Sequence, residues 1–269
     1  MRLASIHTYP VKSCHRLDHD AARVEPWGLA GDRRWVVVEP DGTPVTQREE
    51  PVMTQIQPIH RPGGLLVRTP GLPDLDVVEP ARGELVGARV WGDPVPARSA
   101  GSAADAWFSK AIGRDVRLLW LDDPTRRSPN PALSEPTDRV SFADGYPLLV
   151  TNAASLDALN DALAESGSDE WPLPMTRFRP NVVVSGARPW AEDDWLGRRI
   201  RIGVVTFRAV KMCDRCVLTT VDAETGVQGR EPLWVLAKHR RIDQKLMFGM
   251  NLIPDGIGAI AVGDPVSVR

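Results

Sequence analysis

Surplus charge is almost missing from this 269-residue chain: 33 Lys and Arg stand against 35 Asp and Glu, a net of -2. With no global field to attract polyanions, the balance argues against a nucleic-acid binder or a membrane-surface protein. Long apolar runs are missing too. Segments such as Trp35 to Val38 and Asn181 to Val184 end after a few residues, far short of the ~18 that a membrane span needs. Met1 to Pro10 has no apolar stretch of signal-peptide length, so export is not expected. Cysteine is scarce: Cys14, Cys213 and Cys216 are an odd set, unlike a secreted disulfide framework, and fit a reducing cytoplasm. Uninterrupted helix is excluded by 22 Gly and 24 Pro, which leave no room for a coiled coil or helical bundle.

What is present supports a real core. Apolar residues make up 42% and charged residues 25%, the proportions of a soluble globular protein. At a prior of ~150 residues per domain, the length suggests two compact units. Up to about Val95 the chain reads as short β-prone runs (Leu3 to His7, Arg34 to Val38, Leu65 to Arg68) with turns at Pro40-Asp41-Gly42 and Gly63-Gly64 and no helix signal, the pattern of a sheet curling into a barrel. Ser102 can cap a helix from Ala103 to Ile112, stopped by Gly113. The stretch from Asp122 to Pro136 holds four prolines and reads as a linker. The units are therefore expected at 1–121 and 122–269. Beyond the linker come a strand at Leu148 to Thr151, a helix at Ser155 to Glu165 and a β-rich run at Arg199 to Lys211. A strand-like Val217 to Val221, a short helix opened by Glu231-Pro232, and a closing strand from Ala259 to Val268 follow. The expected class is α+β, rich in strand: a barrel-like N-terminal unit followed by a mixed α/β unit.

Several constellations carry possible chemistry. Cys213-x-x-Cys216 suits a zinc site, a redox dithiol, a single thiolate ligand or two inert small hydrophobes, and the spacing alone does not choose. Lys211 and Arg215 flank the pair, and cationic neighbours favour the thiolate. Lys12 and Ser13 follow the first strand, and Arg33 lies in G-D-R-R-W. Such residues on loops suit a phosphate or similar head group, or else decorate solvated turns. Arg179 and Asn181, two apart before an apolar strand, share a side in extended chain.

The order of these motifs is more specific than any of them. Y-P-V-K-S-C (from Tyr9), G-D-R-R-W (from Gly31), F-A-D-G-Y-P-L-L-V-T-N (from Phe142), R-F-R-P-N-V-V-V (from Arg177), C-D-R-C-V-L-T-T-V-D-A-E-T-G (from Cys213) and V-G-D-P-V (from Val262) together resemble the MOSC proteins with an N-terminal β-barrel domain. Within them the chain resembles the mitochondrial amidoxime-reducing component and the YcbX-type reductases. The resemblance implies a β-barrel core in the second unit and a molybdenum–molybdopterin cofactor. It makes Cys216 the molybdenum ligand and the centre of catalysis, with Cys213 a neighbour only. It implies cofactor contacts from Lys12, Ser13, Arg33, Arg179 and Asn181, with Asp214, Arg215 and Asn251 as further contacts, and a role for Arg215 in keeping the Cys216 thiol deprotonated. The implied reaction is two-electron removal of oxygen, N–OH to N–H. The chain stops at Arg269 without the ferredoxin domain of YcbX-type chains, so the implied electron donor is a separate ferredoxin, cytochrome or flavoprotein reductase. Two alternatives accompany this reading: a sulfur carrier like the MOSC region of molybdenum cofactor sulfurase, and a cofactor-binding accessory protein with no reductase activity.

Overall fold

The computed structural model describes residues 1–90 and 92–269. Its largest sheet has nine strands, and its spine runs Val266–Val268, Arg199–Ile202, Val205–Asp214, Lys245–Pro254, Leu148–Asn152, Val182–Ser185, Arg2–Thr8, Leu17–His19. Leu148–Asn152 and Val182–Ser185 are parallel, which requires a crossover, and helix α2 (Ala153–Glu165) supplies it. The first strand of the chain thus lies inside a sheet otherwise built mostly from the second half. A three-stranded sheet repeats this interleaving by joining Gly258–Ala261 to Ala21–Glu25 and Gly28–Leu29.

The rest of the N-terminal half folds on itself. Trp35–Val38, Arg117–Trp120, Asp93–Ser99 and Leu85–Val90 form one antiparallel sheet, and Gln57–Arg61, Gly64–Arg68 and Leu75–Val78 another. Helix α1 (Ser102–Ile112) covers them, burying Ala104, Trp107, Phe108 and Ile112 against Val37, Val67 and Leu118. In the second half, α2 and helix α3 (Leu233–His239) enclose a smaller core in which Phe178 and Phe248 stack at 3.7 Å between centroids. No described helix is long and apolar enough to cross a membrane.

The α+β, strand-rich expectation holds, and local details differ for identifiable reasons. Ser102 is not the cap of α1: it is the first helical residue, and Gly101, at φ 96°, precedes it. Gly113 does close the helix, at φ 86°. A short 3-10 turn, Pro51–Gln55, interrupts the region where no helix was expected. Val217 to Val221 is not a strand but a 3-10 turn over Val217–Thr220. There the Thr219 and Thr220 hydroxyls donate to the Cys216 and Val217 carbonyls at 2.9 and 2.8 Å, a local bonding that competes with sheet pairing. The closing run is two strands in different sheets, Gly258–Ala261 and Val266–Val268.

Helix α2 begins two residues earlier than its leucine spacing suggests because Asn152 caps it, accepting from the Ala154 amide at 3.2 Å. The same side chain donates to the Arg188 carbonyl at 2.7 Å and to Glu192 at 3.2 Å, and it is fully buried. Asn152→Ala removes the cap and strands the partner groups. It is expected to cost about 2 kcal/mol or more, measurable as a lower urea midpoint with an unchanged slope.

Candidate active site

Three loops from distant parts of the sequence are stitched together by backbone bonds. The Lys12 amide donates to Trp35 O at 2.8 Å, the Arg33 amide to Tyr9 O at 2.9 Å and the Phe142 amide to Arg33 O at 2.9 Å. Gly31 opens the second loop at φ 78°, and a Cβ there would run into the His60 ring, so the position requires glycine. With the Phe178–Asn181 turn and the end of strand Val205–Asp214, these loops frame a cleft of about 110 Å³. That is small for a complete organic ligand, and ample for an anionic head group.

Seven of the nine residues expected at the site line this cleft: Lys12, Ser13, Arg33, Arg179, Asn181, Arg215 and Asn251. Six non-glycine residues among those described have positive φ, and three of them are cleft residues: Ser13 at 67°, Arg33 at 47° and Arg179 at 51°. Left-handed backbone at side-chain-bearing residues stores strain, which persists where surrounding structure enforces it and concentrates at functional sites.

The enforcement is visible around Tyr9. Its amide donates to buried Asp32 at 2.8 Å, its hydroxyl donates to Pro180 O at 3.1 Å, and the Arg33 and Arg179 guanidiniums lie 4.2 and 4.1 Å from its ring centroid. Arg33 also donates to Asp32 at 2.7 Å, and Arg179 to the Cys14 carbonyl at 3.0 Å. Burial pushes the Tyr9 hydroxyl up to about 12 and lowers Arg179 to about 10, leaving both in their ordinary charge states at neutral pH. Burial likewise raises the Cys14 thiol to about 12, so the third cysteine is a buried neutral thiol.

Lys12 is 8% exposed and donates to Phe142 O at 2.9 Å and to Asp144 at 2.5 Å. Burial lowers its pKa against the pull of Asp144. Burial opposes ionisation of Asp144 too, yet Lys12 and the nearby arginines hold its carboxyl well below the usual range.

Asn181 serves the scaffold first. Its oxygen accepts from the Leu149 amide at 3.1 Å and from Arg33 at 3.3 Å, and its amide donates to His7 O at 3.2 Å. Asn251 donates to Lys211 O at 3.1 Å. Asp214 lies outside the cleft lining, with its carboxylate 3.2 Å from Lys211 and 3.9 Å from Lys245. Cys216 is exposed, between the cleft residues Arg215 and Leu218, so it stands at the rim, while Cys213 lines the cleft. Arg215 is not aimed at Cys216: it donates to Cys213 Sγ at 2.9 Å and to Phe178 O at 2.7 Å. Sequence reasoning passed over Arg48 and Asp144. Asp144 stood inside the F-A-D-G-Y-P motif, whereas Arg48, in Q-R-E-E, reads as ordinary surface charge.

Five cations (Lys12, Arg33, Arg48, Arg179, Arg215) thus face one carboxylate, Asp144, in the lining. The Arg215 Nε and the Thr46 hydroxyl are buried without a partner, donors that an incoming acceptor would satisfy. A phosphate-bearing cofactor fits this set by charge, and the two thiols supply soft ligands nearby.

A family model described as the MOSC N-terminal beta barrel domain matches residues 1–115, and one described as the MOSC domain matches residues 137–267. The chain belongs to the MOSC family. It is 34% identical to mitochondrial amidoxime reducing component 2 of Homo sapiens and to component 1 of Mus musculus, over 98% of its own length and 82% and 81% of theirs. It is 29% identical to the molybdenum cofactor sulfurase of Oryza sativa, over 94% of its length and 32% of that protein's. Both MOSC segments contribute to the cleft, Lys12, Ser13, Arg33 and Arg48 from the first, Arg179 and Arg215 from the second.

The pKa directions give a test on the unloaded MOSC protein. Sulfate, whose charge does not change from pH 6 to 10, reports only changes in the charge of the protein. Its binding should weaken as pH rises toward 10, where Lys12, its pKa lowered, and Arg179, at about 10, lose charge. Calorimetric titration across that range checks it.

Proposed function

We propose that this protein is a molybdenum-cofactor-dependent reductase of N-hydroxylated compounds. The observation that carries the reading is the cleft of five cations and one carboxylate, with Cys213 in its lining and Cys216 exposed next to the lining residue Arg215, in a chain 34% identical to an amidoxime reducing component. The cofactor is molybdenum–molybdopterin. Lys12, Arg179 and Arg215 bind its anionic part, with Arg33 held ready by Asp32, and Ser13 and Asn251 complete the polar lining. Asn181 positions Arg33 and the Leu149 backbone, and the Asp214 side chain, turned to Lys211, contributes only through its backbone. When bound, the cofactor supplies oxygen-atom abstraction at molybdenum. Cys216, exposed beside the cleft, would hold the metal as its thiolate ligand.

The overall reaction takes R–NH–OH, two electrons and two protons to R–NH2 and water: the N–O bond breaks and an N–H bond forms. Relatives named as components of a reducing system support a separate protein as electron source. The sulfur-carrier reading has one support, the sulfurase similarity, and predicts transfer of the cofactor to an acceptor enzyme in place of turnover.

Protein made in a cofactor-competent host is expected to contain molybdenum and to reduce benzamidoxime with a chemical donor. Cys216→Ala should abolish this turnover, and Cys213→Ala should retain much of it; equal loss in both would favour a dithiol mechanism, and loss in Cys213→Ala alone would place the ligand there. Lys12→Ala and Arg179→Ala should chiefly lower molybdenum content, because each removes a charge-assisted contact of ~1.5–3 kcal/mol. Elemental analysis of the purified variants reads this directly, and full occupancy in both would remove these residues from the site.

A further inference from the structure

We propose that the face formed by α3 and the Arg241–Lys245 turn, beside Cys216, is the docking surface for an acidic one-electron carrier protein. The proposal rests on the reductase reading and names its missing partner by chemistry. In a chain of net charge -2, residues 230 to 245 carry five cations (Arg230, Lys238, Arg240, Arg241, Lys245) against Glu231 and Asp243. Glu231 is wholly buried, with its carboxylate 3.6 Å from Arg230 Nε, so it offsets that cation from within. Arg240 is spent internally on both oxygens of Asp193, at 2.8 and 2.6 Å. The other four cations are exposed. Among the described residues no carboxylate lies within ion-pair distance of Lys238 or Arg241, and Lys245 reaches only Asp214, at 3.9 Å.

An exposed indole sits in the middle of this charge. Trp234 is 38% exposed, with Lys238 Nζ 3.4 Å and the Arg230 guanidinium 4.9 Å from its ring. Favourable helix-end electrostatics explain Lys238 alone; they do not explain Arg230, Arg241, Lys245 or a solvent-facing tryptophan. An exposed aromatic beside Lys238, with Arg241 and Lys245 also exposed nearby in the chain and only Arg230 paired locally, to Glu231, has the composition of an interface centre.

The face adjoins the proposed redox ligand. Helix α3 packs on the Val217–Thr220 turn that begins at Cys216, and the Arg215 amide donates to Leu246 O at 2.8 Å. Val217, next to Cys216, is 41% exposed. Each reductive turnover consumes two electrons, so a one-electron carrier must dock, deliver and leave twice. Electrostatic steering suits that need because it speeds encounter without slowing release.

The test titrates an acidic [2Fe–2S] ferredoxin, oxidised, against the full chain and against the triple variant Lys238→Glu, Arg241→Glu, Lys245→Glu, and assays both in holo form with reduced ferredoxin and with reduced methyl viologen. All three positions are exposed, and a thermal melt verifies the fold. The expected result is at least tenfold weaker ferredoxin binding by the variant, a wild-type affinity that falls with salt, and unchanged viologen-driven turnover. Trp234→Ala should weaken binding without changing its salt slope. Equal binding by wild type and triple variant, absence of binding by either, or wild-type binding only to phosphatidylserine vesicles overturns the proposal. Failure of the viologen assay in the wild type is failure of the reductase reading, and the binding comparison still decides the surface.

Discussion

Burying several positive charges in one place is the constraint around which this molecule is arranged. Lys12 and Arg179 are almost wholly withdrawn from water and Arg33 lies just behind them, so each loses hydration and each repels the others. The fold offsets this with Asp32, Asp144, the Tyr9 ring and a set of backbone carbonyls. These compensations are partial, since the lining keeps a clear positive excess. A bound anion would complete the charge balance, and the left-handed backbone at Ser13, Arg33 and Arg179 is the conformational cost of holding the donors around it.

Much of this was legible in the residues. The short β-prone runs became strands, Gly113 ended its helix, and Lys12, Arg33, Arg179 and Arg215 came together although they are spread over two hundred positions. What stayed hidden depended on contacts that no local pattern encodes. Asn181 was expected at the site from the family resemblance; it lines the cleft, and its bonds to Leu149, His7 and Arg33 were not readable from the motif. Val217 to Val221 carries β-branched residues, yet two threonine hydroxyls turned the chain back on itself. Arg48 had no motif around it at all; only the three-dimensional meeting of loops gives it a place.

The turn between Cys213 and Thr220 divides two electrostatic environments. On its inner side Cys213 and Arg215 face the enclosed cations of the cleft, and on its outer side Cys216 and Val217 face solvent beside α3. A thiolate ligand at the outer position would couple a sheltered binding region to an accessible one through a single residue. The 3-10 turn that follows it is held by the Thr219 and Thr220 hydroxyls on the Cys216 and Val217 carbonyls.

Residues Met1 to Leu3 are held by Asp264 to Val266: the Leu3 amide donates to Asp264 O and the Val266 amide to Met1 O, at 2.9 and 3.0 Å. The chain therefore closes on itself like a clasp, first segment against last. Synthesis runs from the amino end, so the pairing of Met1 to Leu3 has to wait until residues 264 to 266 have been made. The cleft lining, spread from Lys12 to Asn251, is likewise complete only late in that order.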